Sequence, residues 1–202
     1  IIIGLFKKTI LSDKLFNISN YGFTNVENIS FVDSWISTIA FSFQFYFDFS
    51  GYVDMAIGSA LLFNIKLPIN FNSPFKSVSI IDFWKRWHIT LSNFITNYMY
   101  FPLVKNFGNK YFFNIFSIII VMTIAGIWHG PRWTYLIFGL MHGLALAFNN
   151  LFRFKINNVL SIFLSFIFIN FSFVFFNSKT VSQSFSMFSK LFNPNNLGTN
   201  YN

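Results

Sequence analysis

Tyr111-Phe-Phe-Asn-Ile-Phe-Ser-Ile-Ile-Ile-Val-Met-Thr-Ile-Ala-Gly-Ile-Trp128 carries no charge and runs straight into His129-Gly130-Pro131-Arg132. A helix needs roughly 20 apolar residues to cross the hydrocarbon core of a bilayer, so this stretch reads as a membrane span that ends at a histidine. An ionisable side chain at membrane depth is expensive and marks a functional site by default. Position alone leaves two readings of His129 open: a group that moves protons, or a neutral ring donating to a backbone carbonyl at the end of the span.

The rest of the chain has the composition of a membrane protein. Hydrophobic residues make up 54% of the 202, charged residues 10%, and Phe alone fills 33 positions. That is too little charge for a soluble domain of average makeup, so the fold class expected is all-α, a polytopic integral membrane protein. The net charge of +8 could suggest nucleic acid. Its distribution points elsewhere: Lys66, Lys76, Lys85, Arg86, Lys105 and Lys110 share one inter-span segment, and Arg153 and Lys155 share another, as cytoplasmic loops should. The lipid bilayer is therefore the expected partner, and no nucleic acid is. There is no cysteine, no His-x-x-x-His, and the three histidines fall on different elements, so no metal is expected. Ile1-Ile-Ile-Gly-Leu-Phe-Lys-Lys8 lacks an initiator Met and reads as the tail of an earlier span, which would make the chain a fragment.

Residues 7 to 30 are polar and read as a connection with one short surface helix. Residues 31 to 63 are apolar but hold Asp33, Asp48 and Asp54. That run is too long for one perpendicular crossing and must tilt, break at Ser50-Gly51, or leave the bilayer. Residues 64 to 110 open on Pro68 and Pro74, and then a helix is expected over Ile80 to Tyr100. On it Trp84, Trp87, His88, Leu91 and Ile95 share one stripe, the pattern of an amphipathic helix lying at the membrane interface. Spans are expected at 111–128, 133–148 and 159–176, followed by a loose polar tail from Asn193. Alternate crossing puts the two basic segments on one side. The pair Lys7-Lys8 then falls on the wrong side unless the 31–63 run breaks.

Imidazole titrates near pH 6.5, so a histidine can take a proton from an alcohol and return it near neutrality. That chemistry suits acyl transfer to hydroxyls. On residues alone His88 is better read as an amphipathic ring at headgroup level, and His142, inside a span, as a cavity-lining or helix-linking group. Asp82 and Arg86 are spaced for an i,i+4 pair. Asp48 and Asp54 lie on different helix faces, so each is expected to pair with a base or cap a broken helix. A proton or solute path through Asp48, Asp54 and His142 is a competing reading, and a non-catalytic scaffold is a third.

Several motifs taken together resemble one family. They are Gly4-Leu-Phe-Lys-Lys8, Phe47-Asp-Phe-Ser-Gly-Tyr-Val-Asp-Met-Ala-Ile-Gly58, Leu67-Pro-Ile-Asn-Phe-Asn-Ser-Pro-Phe75 and Phe83-Trp-Lys-Arg-Trp-His-Ile-Thr-Leu-Ser92. Tyr98-Met-Tyr-Phe-Pro-Leu103, Gly126-Ile-Trp-His-Gly-Pro-Arg-Trp-Thr134 and Gly139-Leu-Met-His-Gly143 follow in order. The chain resembles the membrane-bound O-acyltransferases, in particular the bacterial branch that acetylates alginate and other envelope polymers. The resemblance implies a many-helix bundle of which residues 1–202 form the C-terminal part of one domain, in the inner (cytoplasmic) membrane. It implies that His129 and His88 are catalytic and that Trp84, Trp87, Trp128, Gly130, Trp133 and His142 line a substrate tunnel. It also implies no tightly bound cofactor, an acyl thioester donor such as acetyl-CoA or an acyl carrier, a polysaccharide acceptor, and a periplasmic or extracellular acetyltransferase partner. D-alanyl transfer to teichoic acid belongs to the wider family. Two positions depart from the pattern: Thr96-Asn97 stands where relatives have Arg-Asp, and Phe175-Phe-Asn177 where they have Phe-Phe-Arg.

Overall fold

A computed structural model describes residues 1–106, 111–152, 157–195 and 197–198, and every regular element among them is helical. Lys110, Arg153 and Lys155, part of the basic-loop argument, lie outside the described residues. The chain divides into two compact units, Ile1–Pro68 with Phe173–Asn202, and Ile69–Ser172.

In the first unit, α1 (Ile2–Phe6) passes through a π-helical stretch (Lys7–Ser12) into α2 (Asp13–Thr24). The polar connection expected here is thus helical almost throughout. It lies along α3 (Phe31–Leu62), which starts at a capping box: Ser30 accepts from the Asp33 N–H and Asp33 accepts from the Ser30 N–H. The helix then continues without a break through Ser50-Gly51. At 1.5 Å per residue its 32 residues are about 48 Å long.

Gly51 has a different use. A Cβ there would stand 2.8 Å from the Gly4 carbonyl oxygen, and one on Gly4 would stand 2.8 Å from Met55 Cγ. The two glycines let the first helix and α3 cross backbone against backbone. The crossing delivers Lys7 to Asp54 at 2.6 Å and Lys8 to Asp48. Both aspartates therefore pair with bases.

The second unit opens with an Asn- and Pro-rich loop and a 3₁₀ turn (Pro74–Lys76), then α4 (Ile80–Trp84) and α5 (Ile89–Ile95). The single interfacial helix expected over residues 80–100 is not formed. His88 takes a left-handed conformation (φ 44°, ψ 56°) that ends one helix and starts the next. After α5 the chain widens into a π-helical turn (Thr96–Tyr100) and tightens again in α6 (Phe101–Asn106). Pro102 accounts for the widening, because it has no N–H for the Tyr98 carbonyl and its ring needs the extra room.

Next come α7 (Tyr111–Trp128), α8 (Trp133–Leu151) and α9 (Asn158–Asn177), the three helices among the described residues long and apolar enough to cross a membrane. Their bounds follow the sequence reading closely, with α8 three residues longer. The 31–63 run is not among them; Ser, Thr, Gln and Tyr as well as aspartates interrupt its apolar residues. The last residues of α9 and the amphipathic α10 (Val181–Leu191) belong to the first unit. There Met187 and Leu191 are buried, and the Leu191 carbonyl accepts from the Trp35 indole at 3.2 Å.

Candidate active site

Residues 126–132 turn the chain from α7 into α8. The His129 N–H donates to the Gly126 carbonyl at 3.1 Å and the Gly130 N–H to the Ile127 carbonyl at 3.0 Å. Gly130 then adopts φ 154°, a value an L-residue rarely takes. This tight exit leaves the His129 ring half-buried among aromatic groups: Trp128 edge-on at 5.2 Å between centroids, Tyr135 at 6.0 Å and Phe138 at 6.4 Å. Tyr135 is itself fixed from the other side, with the Arg132 guanidinium 4.2 Å from its ring centroid and donating to its hydroxyl. Gly130 and Trp133 border a cleft of about 300 Å³ together with Ile127, Pro131, Arg132 and Leu136. Trp128 and Trp133 are 67% and 74% exposed.

His88 is held from the loop that precedes α4. The Asn70 side-chain oxygen accepts from the Thr90 N–H at 3.1 Å and the Thr90 hydroxyl at 2.6 Å, and lies 3.2 Å from His88 Nδ1. The Asn70 carbonyl accepts from the Ile89 N–H at 3.0 Å, and the Arg86 carbonyl from the Asn72 N–H at 2.9 Å. These bonds hold the chain in its left-handed turn at His88. The expected Asp82–Arg86 pair is present at 2.9 Å, and the guanidinium also reaches the Asn72 carbonyl. Burial, and after it repulsion from His129, push the His88 imidazole below its usual titration range. Burial does the same to His129. Two histidines 41 positions apart in sequence are thus close enough to sense each other's charge.

The remaining residues expected at the site lie deeper. Trp87 is buried, its indole stacked on Phe83 at 5.5 Å and edge-on to Phe71 at 5.2 Å. His142 is completely buried, and its bonding fixes its tautomer. An indole N–H can only donate, so Trp84 Nε1 gives its proton to His142 Nδ1 at 3.2 Å. The neutral ring then carries its own hydrogen on Nε2 and donates to Ser172 Oγ at 2.9 Å, and Ser172 donates to the Ile169 carbonyl at 2.8 Å. Both ring nitrogens are engaged inside the protein. This chain of bonds ties α4, α8 and α9 together. Phe138, 4.6 Å from His142, carries the contact on to His129.

Sequence reasoning singled out both histidines and missed Asn70, Thr90 and Ser172. Asn70 had a signal: an amide between two prolines, in the loop that precedes α4 and the turn at His88.

Residues 5–188 match the membrane-bound O-acyltransferase (MBOAT) family. Over 189 residues the chain is 46% identical to a peptidoglycan O-acetyltransferase of Helicobacter pylori, which covers 90% of the chain and 36% of that protein. It is 35% identical over 193 residues to a probable alginate O-acetylase, AlgI, of Azotobacter vinelandii, covering 94% of the chain and 38% of the relative. A teichoic acid D-alanyltransferase of Streptococcus thermophilus is 37% identical over 116 residues, 54% of the chain and 28% of the relative. The chain therefore spans little more than a third of the length of the first two of these relatives. With nearly all of its residues inside the matched region and three helices able to cross a bilayer, the chain belongs to the membrane-bound O-acyltransferase family.

Proposed function

We propose that this chain carries the acyl-transfer site of a multi-pass O-acyltransferase of the cytoplasmic membrane, which moves an acetyl group from a cytoplasmic thioester toward hydroxyls of an exported or cell-envelope polysaccharide. The observation that carries this reading is that His88 and His129 lie in one unit, both half-buried and both less basic than a free imidazole. A ring kept neutral near pH 7 is ready to accept a proton. His129 takes the proton of the acceptor hydroxyl as its oxygen attacks the thioester carbonyl. The carbon–sulfur bond breaks, and the departing thiolate receives the proton back, leaving an ester and a free thiol. Trp128, Gly130 and Trp133 shape the approach to His129, and Trp84 supports it through His142. The donor is a co-substrate, a coenzyme A or acyl-carrier thioester, and an extracytoplasmic acetyltransferase partner completes delivery to the glycan.

The test replaces His129 by Ala in the full-length protein and measures transfer of labelled acetyl to glycan in membranes. Loss of transfer with normal expression and folding is expected. Wild-type transfer by that variant overturns the proposal, and D-alanyl rather than acetyl transfer by the wild type would move the assignment to the teichoic acid branch.

A further inference from the structure

We propose that Asn70 is a positioning residue that selects the tautomer of His88, holding the proton on Nδ1 and the basic lone pair on Nε2. The proposal rests on the acyl-transfer reading above for its catalytic consequence, but its structural half stands alone.

The Thr90 backbone N–H can only donate, so the side-chain atom of Asn70 that it meets at 3.1 Å must be the amide oxygen. The Thr90 hydroxyl, 2.6 Å from the same atom, agrees with that assignment. The amide is thereby oriented by a donor that cannot reverse its role. An amide oxygen has no proton to give, so His88 Nδ1, 3.2 Å away, must be the donor. In a neutral imidazole the lone pair then belongs to Nε2.

The surrounding backbone serves the same end. The Ile89 N–H bonds the Asn70 carbonyl at 3.0 Å, so main chain and side chain of one residue hold both sides of the His88 turn. His88 itself sits at φ 44°, a conformation of a few kcal/mol at most that persists only where neighbours impose it. A left-handed histidine, an amide whose orientation is dictated by the main chain, and a second imidazole within electrostatic reach are more than helix termination requires. They fix which nitrogen of His88 does acid–base work.

The experiment places ¹⁵N-labelled histidine in the full-length protein in micelles and reads the ring-nitrogen shifts of His88, assigned by comparison with His88→Gln. The wild type is expected to show the Nδ1–H tautomer. Asn70→Ala is expected to lose that preference and to lower kcat on the order of tenfold or more with little change in the KM for the thioester, the effect seen when an orienting partner of a functional histidine is removed. Asn70→Asp keeps an acceptor for both Thr90 and His88 and is expected to restore the tautomer and most of the rate, which a general packing role for Asn70 would not do. A wild-type His88 with its proton on Nε2, or an Asn70→Ala protein matching wild type in both tautomer and kcat, overturns the proposal. The tautomer signal needs no turnover, so failure of the acyl-transfer reading, scored by His129→Ala, is seen separately.

Discussion

Gly126 and Gly139 meet so closely that a Cβ on Gly126 would stand 2.8 Å from the Cα of Gly139. One turn along, a Cβ on Gly143 would stand 2.9 Å from the Cα of Ile119. Gly139-Leu-Met-His-Gly143 is thus the small-x-x-x-small surface that lets two membrane helices approach without a hydrophobic driving force between them. The contact sets the distance between α7 and α8, and therefore where His129, at the turn joining them, can sit. The placement of the proposed base thus depends on the absence of side chains.

Gly139→Val is accordingly expected to force the two helices apart. Overpacking costs about 1–3 kcal/mol, so the variant should melt at lower temperature in detergent and lose acyl transfer in parallel. An exposed control on α8, Leu144→Val, should do neither, since Leu144 is 50% exposed. An unchanged melting temperature for Gly139→Val would show that the close approach is dispensable.

The ion pairs of the first unit should behave as a register device. Lys8→Asp sets two carboxylates against each other at Asp48, and the reciprocal double exchange with Asp48→Lys should recover what the single change loses. Both groups are partly exposed, so the coupling in a double-mutant cycle should stay within about 1 kcal/mol. Zero coupling would mean the pair contributes nothing to how the π-helical stretch Lys7–Ser12 aligns with α3.

How far these features were legible depended on the range of the interactions behind them. The bounds of α7 could be read because an uncharged run is a local signal, whereas the break at His88 could not, because its cause is Asn70, 18 residues away. Sequence periodicity favoured one helix across 80–100, and tertiary hydrogen bonds overrode it. The pairing of Lys7 with Asp54 spans 47 residues, so the aspartates could be expected to find bases without saying which. By contrast α10 left a local trace that went unread: Thr180-Val-Ser-Gln183 is a capping signature, with Thr180 Oγ1 accepting from the Gln183 N–H at 3.1 Å. His129 stands out in the sequence as an ionisable group at the end of an apolar run, whereas His88 is marked only by the family resemblance.

The pH dependence follows from the direction in which His88 and His129 are shifted. Their folded-state values lie below the 6.5 of the free ring, so between those values and 6.5 the unfolded chain binds more protons than the folded one. Stability then rises with pH through that window and falls as acid is added below about pH 6.5. The acid limb of the kcat profile should also lie below 6.5, because the rings stay neutral longer than free imidazole. A limb centred above 6.5 would contradict the burial that lowers both groups.

His142 supplies the last expectation, and it separates support from chemistry. His142→Phe keeps a ring among Phe83, Phe138 and Phe168 but removes the acceptor for Trp84 and the donor to Ser172. Leaving buried polar groups unsatisfied costs about 1–3 kcal/mol each, so the variant should be clearly less stable in a detergent melt. Trp84→Phe removes one of the same bonds, and the two losses should add to less than their sum, as members of one network do. Strict additivity would mean the Trp84–His142 bond is not formed. The residual activity of whichever variant still folds is expected to keep the wild-type pH profile, because His129, the base proposed above, and His88 are both unaltered.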